Sequence, residues 1–364
     1  MQPLASLNRA VIEHSDAWSR RVGGFAALPG LLAAHGVAPL PVLSASGLTP
    51  DALSLPERKV GFAKSARALG EAVRATRCEH FGLLAGGQTR LADLGSLGAM
   101  MLGAPALGPA LRSLAAHHHH VCTGGVVLLQ EQERTVSLGY AVFHPDVDHL
   151  APAFDFAAAA GLTLIRELCG RTWNPIEVLL PRRRPADPGP YQAFFRCPVR
   201  FNAELCEMRF PSGVLQQRLL PTTTRGNPAL AAFEEQLIDD QLLPRLYRTT
   251  RMLLLQGQAH GDQMAHTLGL NRRTLARRLA AQGQSLQRVL DEVRYAVARE
   301  LLEDTDLSVV DIALTLGYAE ASPFVRAFRR WSGSAPLIWR QAHRDEALHK
   351  DYAGRATAAS LRRA

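Results

Sequence analysis

A short pattern occurs twice near the C-terminal end of this chain, and it limits what that end can fold into. Met264-Ala265-His266-Thr267-Leu268-Gly269-Leu270 returns 48 residues later as Ile312-Ala313-Leu314-Thr315-Leu316-Gly317-Tyr318. After one extra residue in the second copy, Leu275, Arg277 and Leu279 correspond to Phe324, Arg326 and Phe328. A repeat of this kind means that one supersecondary unit is used twice. In the first copy Met264, Ala265 and Leu268 share a helical face that stops at Gly269. A second helix opens at Asn271, a good N-cap, and buries Leu275 and Leu279. Two short helices about a glycine turn predict a helix-turn-helix. Its second helix keeps Arg272, Arg273, Arg277 and Arg278 off the apolar face. That distribution suits a helix lying in a DNA major groove, with some arginines on phosphate and others on base edges. Double-stranded DNA is the partner this predicts.

The charge distribution agrees. The chain carries a formal +8 and a pI near 9.6, which points only weakly to a polyanion because excess charge also serves solubility. Between Arg245 and Arg344, however, fifteen Arg and no Lys stand against nine Asp or Glu. Most of the excess therefore sits beside the repeat. The five cysteines (Cys78, Cys122, Cys169, Cys197, Cys206) are scattered without a Cys-x-x-Cys pair, which predicts free thiols in a reducing cytosol. No secretory signal and no apolar run of membrane-spanning length is evident, so a cytoplasmic protein without a membrane partner is expected.

At 364 residues the chain is long for one core, and two domains are expected. Residues 1–25 read as an arm or frayed helix. Residues 26–220 read as one α/β (or α+β) domain of helices packed on a mixed sheet. Within it, 28–34 is predicted helical, and Ser54-Leu55-Pro56-Glu57 resembles a capped helix start leading into Val60, Ala63, Ala66, Leu69 and Val73. Residues 81–85 read as a short buried strand, and 94–102 and 107–116 as helices. A β-hairpin is predicted over 125–130 and 135–143, a helix over 149–169, strands over 176–180 and 204–210, and a proline-rich loop over 181–190. The polar, proline-bracketed stretch 221–228 is the linker, and a linking helix follows to 243. An all-α domain over 244–344 then begins with a helix over 245–256, whose Leu246, Met252, Leu253 and Leu255 are expected against the first unit. A tail, 345–364, ends the chain.

Between the two units Ser285 to Glu303 reads as one amphipathic helix, with Leu286, Val289, Val293, Ala296, Val297 and Leu301 on its buried side. A stiff helix of about nineteen residues is roughly 28 Å long. Two recognition helices enter successive major grooves when about 34 Å apart. The spacing therefore predicts one protomer reading two adjacent groove segments, with no palindrome needed within that site.

The residues from 268 to 340 resemble the AraC/XylS family of bacterial transcription regulators. The resemblance rests on Leu268-Gly269-Leu270-Asn271-Arg272-Arg273-Thr274-Leu275-Ala276-Arg277-Arg278-Leu279 and on Asp311-Ile312-Ala313 with Leu316-Gly317-Tyr318. It continues through Phe324 to Gly333 and closes on Ala335-Pro336 with Trp339-Arg340. The N-terminal part is similar, more weakly, to the arabinose-binding-type sensor of regulators of ornithine and arginine utilisation. That likeness rests on Leu83-Leu84-Ala85-Gly86, Phe194-Phe195, Pro198-Val199 with Phe201, and the apolar stretch to Phe210. The resemblance implies a sensing and dimerisation domain for an unidentified small-molecule effector, fused to a DNA reader. It further implies a homodimeric activator acting with RNA polymerase. It places Arg273, Ala276 and Arg277 of the first unit against bases, and Ser322, Pro323 and Arg326 of the second. Arg272, Arg278, Arg329 and Arg330 are expected on phosphate or in helix-face ion pairs. The chain departs from the family at Ala276, often a polar residue there, which offers only apolar contact to a thymine methyl. Glu320 is open between a cytosine contact and a cap. Leu275, Leu279, Phe324, Phe328 and Trp331 are expected in the core.

Other features have blander readings. The run His117-His118-His119-His120, read as a strand, turns at most two rings the same way, and good zinc spacing is missing nearby, so no metal is expected. Arg182-Arg183-Arg184 lies between prolines and reads as a solvated loop. Cys197 reads as a structural thiol. No catalytic residue or cofactor is implied, and the effector-binding residues are not legible. Two rival readings stand: a DNA-tethered thiol- or metal-dependent enzyme, and an architectural DNA binder without an effector. The latter should lack an enclosed apolar pocket with convergent polar groups.

Overall fold

A computed structural model describes residues 18–142, 150–219, 242–255, 259–268 and 270–343. The linker expected at 221–228, nearly all of the helix expected at 229–243, and the tail 345–364 lie outside the described residues, as do Gly269 and the side chains of Met252 and Leu255.

The N-terminal part is a mixed α/β structure. Two short strands, β1 (Ser19–Arg21) and β2 (Lys59–Gly61), pair antiparallel. A five-stranded sheet follows from β3 (Gly125–Glu131), β4 (Thr135–Val142), β5 (Glu177–Leu179), β6 (Val199–Arg200) and β7 (Cys206–Pro211). Its order is β3-β4-β7-β5-β6, antiparallel except for the β5–β6 pair. The predicted hairpin is present, with Leu128 opposite Gly139 and the turn closed by Gln132 N donating to Thr135 O at 2.9 Å.

Eight helices surround the sheet among the described residues: α1 (Leu28–Ala34), α2 (Pro39–Ala45), α3 (Phe62–Thr76), α4 (Phe81–Gly86), α5 (Ser96–Gly103), α6 (Leu107–His117), α7 (Ala151–Cys169) and α8 (Gly189–Phe195). The long helix α7 organises them because it is buried on two sides. Phe154, Ala158, Leu162 and Ile165 join the core of the sheet. Phe156 and Ala160 join a second core made by Phe25, Leu28, Leu32, Leu69 and Phe81. A helix apolar all round belongs in the interior.

Several expectations are corrected here. Residues 18–25 are not an arm: Trp18, Val22 and Phe25 are buried, and β1 is held by β2. No helix starts at Ser54-Leu55-Pro56-Glu57. That segment runs beside β1, where Gly23 N donates to Pro56 O and Val22 N to Arg58 O, and the helix waits until Phe62. The run 81–85 is helical rather than a strand, since a short apolar run does not distinguish the two. Gly82 and Gly86 lie one turn apart and let α4 press onto the backbone of α7; a Cβ at either would strike the carbonyl of Pro152 or Phe156. Pro190 opens α8 instead of closing a loop, as its fixed φ permits in a first turn.

The C-terminal part is helical: α9 (Leu242–Leu255), α10 (Gly261–Thr267), α11 (Arg272–Ala280), α12 (Leu286–Asp304), α13 (Val309–Thr315) and α14 (Ala321–Ser332), then helical residues 336–343. Helix α9 starts at Leu242 rather than 245, with Pro244 in its first turn, where proline is tolerated. Buried Arg251 of α9 pairs with Glu300 of α12 at 2.5 Å, and Tyr247 donates to Glu292.

Candidate functional site

Both repeat units form the predicted pair of helices. In the first, the Asn271 side chain accepts from Thr274 N at 2.8 Å and starts α11. Leu275 and Leu279 are fully buried, while Arg272, Arg273, Ala276, Arg277 and Arg278 are exposed. In the second, Ser308 and Asp311 form a reciprocal capping box at the start of α13. Gly317 makes the turn at φ +76°, a left-handed conformation that glycine adopts without a Cβ clash. Helix α14 buries Phe324, Phe328 and Trp331 and exposes Ser322, Arg326, Arg329 and Arg330. Pro323 falls in its first turn. Glu320 occupies the N-cap position, but its side chain makes no capping hydrogen bond.

The exposed arginines divide by partner. Arg272 pairs with Asp262 at 3.3 Å and Arg330 with Asp291 at 3.0 Å. Among the described residues no carboxylate pairs with Arg273, Arg277, Arg278, Arg326 or Arg329, so these guanidinium groups face outward with open donors. Helix α12 ties the second unit to the first. Arg294 donates from Nε to Leu316 O at 3.0 Å and lies 4.7 Å from the Tyr318 ring centre, which fixes the glycine turn of that unit.

A second feature lies in the N-terminal part: a partly open cavity of about 110 Å³ between α7, the β3–β4–β7 face of the sheet and β1. Phe62, Leu114, Leu138, Met208 and the small residues of α7 line it. Its polar groups are few, among them Arg20, Thr89, Tyr140 and Glu207. Burial lowers the pKa of Arg20 and drives that of Tyr140 far up. No effector-binding residue is marked by a local pattern: Arg20 sits beside Arg21 in a stretch without periodicity.

The third feature corrects an expectation. Arg182, Arg183 and Arg184 do lie in a loop and Arg184 is exposed, but Arg182 and Arg183 are bonded rather than solvated. The Arg182 side chain is 11% exposed and bonded to Asp155 and Tyr191, and Tyr191 Oη donates to Asp155 at 2.7 Å. Burial works against the Arg182 charge, but Asp155 and Tyr191 outweigh it and raise its pKa. Arg183 reaches the C-terminal end of α12, pairing with Asp306 at 3.2 Å and donating to Glu303 O. Beside it, Asp304 accepts from Leu150 N at 2.8 Å, and Asp306 N donates to Asn202 at 3.0 Å. This seam joins the two parts of the chain. Burial, assisted by Glu300, pushes the Asp304 carboxyl up to about 7.

The histidine run is not a strand. His117 ends α6 and His118–His120 form a 3-10 turn; among the described residues no group of three or more candidate ligands forms a metal site. Burial pushes the Cys197 thiol up to about 11, away from thiolate reactivity. No described helix is long and apolar enough to cross a membrane.

Comparison with known proteins decides what this combination is. Residues 36–219 match the model for the arabinose-binding domain of AraC transcription regulators, and residues 264–342 match a helix-turn-helix domain model. The chain belongs to the AraC family of transcription regulators. The regulator is 28% identical over 329 residues to the ornithine utilization regulator of Pseudomonas aeruginosa, covering 87% of this chain and 94% of that one. It is 24% identical over 314 residues to the HTH-type transcriptional regulator VirS of Mycobacterium tuberculosis, covering 84% and 91% respectively. Among solved structures it is similar to the transcriptional regulator CdpR of Pseudomonas aeruginosa at 25% identity and a TM-score of 0.40, covering 83% of this chain and 96% of that one. As an AraC-family member the regulator binds DNA, and the relatives are named as regulators rather than enzymes.

Proposed function

We propose that this regulator is controlled by a small molecule held in the cavity beside α7, and that occupancy changes how strongly its two helix-turn-helix units hold DNA. In this reading the sensing part runs to about residue 220, a linker occupies 221–243, and the reader occupies 244–344. The observation that carries the proposal is the pairing of a partly open, mostly apolar cavity with a reader that shares a bonded seam with the sensing part. An effector acts by favouring one arrangement over another. A purely architectural binder has no use for the cavity. The raised thiol of Cys197 gives no support to the enzyme alternative.

At the DNA, Arg273, Ala276 and Arg277 of α11 and Ser322 and Arg326 of α14 face bases, while Arg278 and Arg329 hold phosphate. Arg272 and Arg330 hold phosphate from positions braced by Asp262 and Asp291. Binding occurs as a cytoplasmic homodimer that activates transcription with RNA polymerase. Selection of bound sequences from a random DNA pool tests the assignment. Arg277→Ala and Arg326→Ala should each relax preference at one base pair, by about 1–3 kcal/mol of discrimination. Arg278→Ala should weaken all sequences alike and reduce the salt slope by about one. Equal weakening across all sequences in the first two variants overturns the base-reading roles.

A further inference from the structure

The cavity beside α7 contains a charged group that has no ion-pair partner among the described residues. Arg20 sits on β1, its backbone fixed by Val60 on one side and Cys122 on the other. Its guanidinium carbon lies 4.0 Å from the ring centre of Phe25 and 4.7 Å from that of Phe156, which fixes the plane of the fork. Nε donates to the carbonyl of Arg21 at 3.3 Å. Among the described residues Nη1 and Nη2 have no acceptor and no carboxylate within ion-pair distance. Arg20 is half-buried; a cation drawn out of water is costly unless paired and hydrogen-bonded, and the forked Nη pair matches the two oxygens of a carboxylate.

A second, independent group points the same way. Thr89 lines the cavity, is 5% exposed, and its Oγ1 has no hydrogen-bond partner. A buried hydroxyl without a partner is itself costly. Thr89 Oγ1 lies against Gly24, and a rotation of the side chain into the cavity lets it donate to an anion held by Arg20.

The remaining lining says what the rest of the occupant is. Phe62, Leu114, Leu138 and Met208 offer apolar surface. Glu207 is the carboxylate on the described lining, and Arg209 already holds it through Nε and Nη2, each at 3.1 Å. An ammonium group placed here would find no free anion. Roughly 150 Å³ suffices for benzene in an apolar protein cavity, so about 110 Å³ fits an occupant of four to six non-hydrogen atoms, on that order of size.

We propose that the cavity is a receptor for a small monocarboxylate with an apolar body and no amino group, bound through Arg20 and Thr89. This rests on the cavity being the effector site. It sets the regulator apart in ligand class from the relative named for ornithine, which carries two amino groups.

The test uses the full-length protein and measures melting temperature and DNA affinity against a series: butyrate, butyramide, 2-aminobutyrate and ornithine. The expected result is a saturable response to butyrate, at least tenfold weaker for butyramide and for both amino acids. Arg20→Met should remove the preference for butyrate over butyramide, Arg20→Lys should keep part of it, and Thr89→Val should weaken butyrate severalfold. No saturable response to butyrate, or equal responses to butyrate and butyramide, overturns the carboxylate proposal. So does an equal response to ornithine.

Gly161→Leu separates that failure from failure of the underlying reading. A Cβ at Gly161 makes only ordinary contacts with Met208 and Leu138, so the longer side chain fills the cavity. If a different class of molecule changes DNA affinity and this variant abolishes the response, the cavity is the effector site and the proposed ligand class is wrong. If the response survives in this variant, the effector binds elsewhere and both readings fall.

Discussion

Arg182 shows how far a single residue can depart from its local context. Prolines and neighbouring arginines give it the look of a solvated loop residue, yet it packs largely out of water against buried Asp155 and Tyr191, and its acidic partner is 27 positions away. Removing one member of such a pair leaves the other charged and buried, which costs about 3–5 kcal/mol. Urea unfolding of Arg182→Met and of Asp155→Leu should each show a loss of that size. The double variant should recover much of it, because two apolar side chains leave no orphan charge. Additive losses in the double variant would mean the pair is not coupled. Arg183 presents the same difficulty for sequence reading, with Asp306 123 positions away. Leu275, Leu279, Phe324 and Phe328 were legible because helical spacing is a local signal, and all four are fully buried. The exposed arginines beside them followed from the same periodicity, whereas no local pattern marks Arg20 or Thr89.

Among the elements, α7 and α4 show what patterning conveys and what it hides. The length and apolar character of α7 were readable. The close approach of α4 was not, because a glycine in an apolar run does not announce which backbone it meets. Gly82→Ala should cost about 1–3 kcal/mol as overpacking, since the added methyl meets the Pro152 carbonyl. Gly70 of α3 is the natural control. A Cβ there meets nothing within 4 Å, so Gly70→Ala should stabilise by about 0.4–1 kcal/mol. Chemical denaturation of the two variants reads both signs. The repeat units were the most legible elements of all, because caps, turn and apolar face agree: Asn271 caps, Ser308 and Asp311 cap each other, and Gly317 turns.

For the whole molecule the seam sets a pH dependence. Asp304 titrates near 7 in the fold, against about 3.9 in an unfolded chain. Between those values the folded state holds a proton that the unfolded state has lost, so stability falls as pH rises. The contribution is complete below about pH 4 and is lost as pH passes through about 7. Glu292, raised by burial to about 7, acts in the same direction. The groups facing Asp304 are Glu300, Arg183, Arg182 and the Leu150 amide. Asp304→Asn retains an acceptor for that amide and removes the titration. Its melting temperature should therefore exceed that of the wild type at pH 8 and converge with it near pH 4; parallel curves across that range would remove Asp304 as the source.

Along α12, Arg251 meets Glu300, Arg294 meets the second glycine turn, Asp291 meets Arg330, and Asp304 meets the start of α7. Anyone grafting a new sensor onto this reader would naturally splice the chain between 220 and 241. Such a chimera would carry Asp304 and Asp306 without Leu150, Arg183 and Asn202 to receive them. The boundary that matters for exchanging modules is where side chains cross, and a working hybrid must bring matching partners for the end of α12 along with its new pocket.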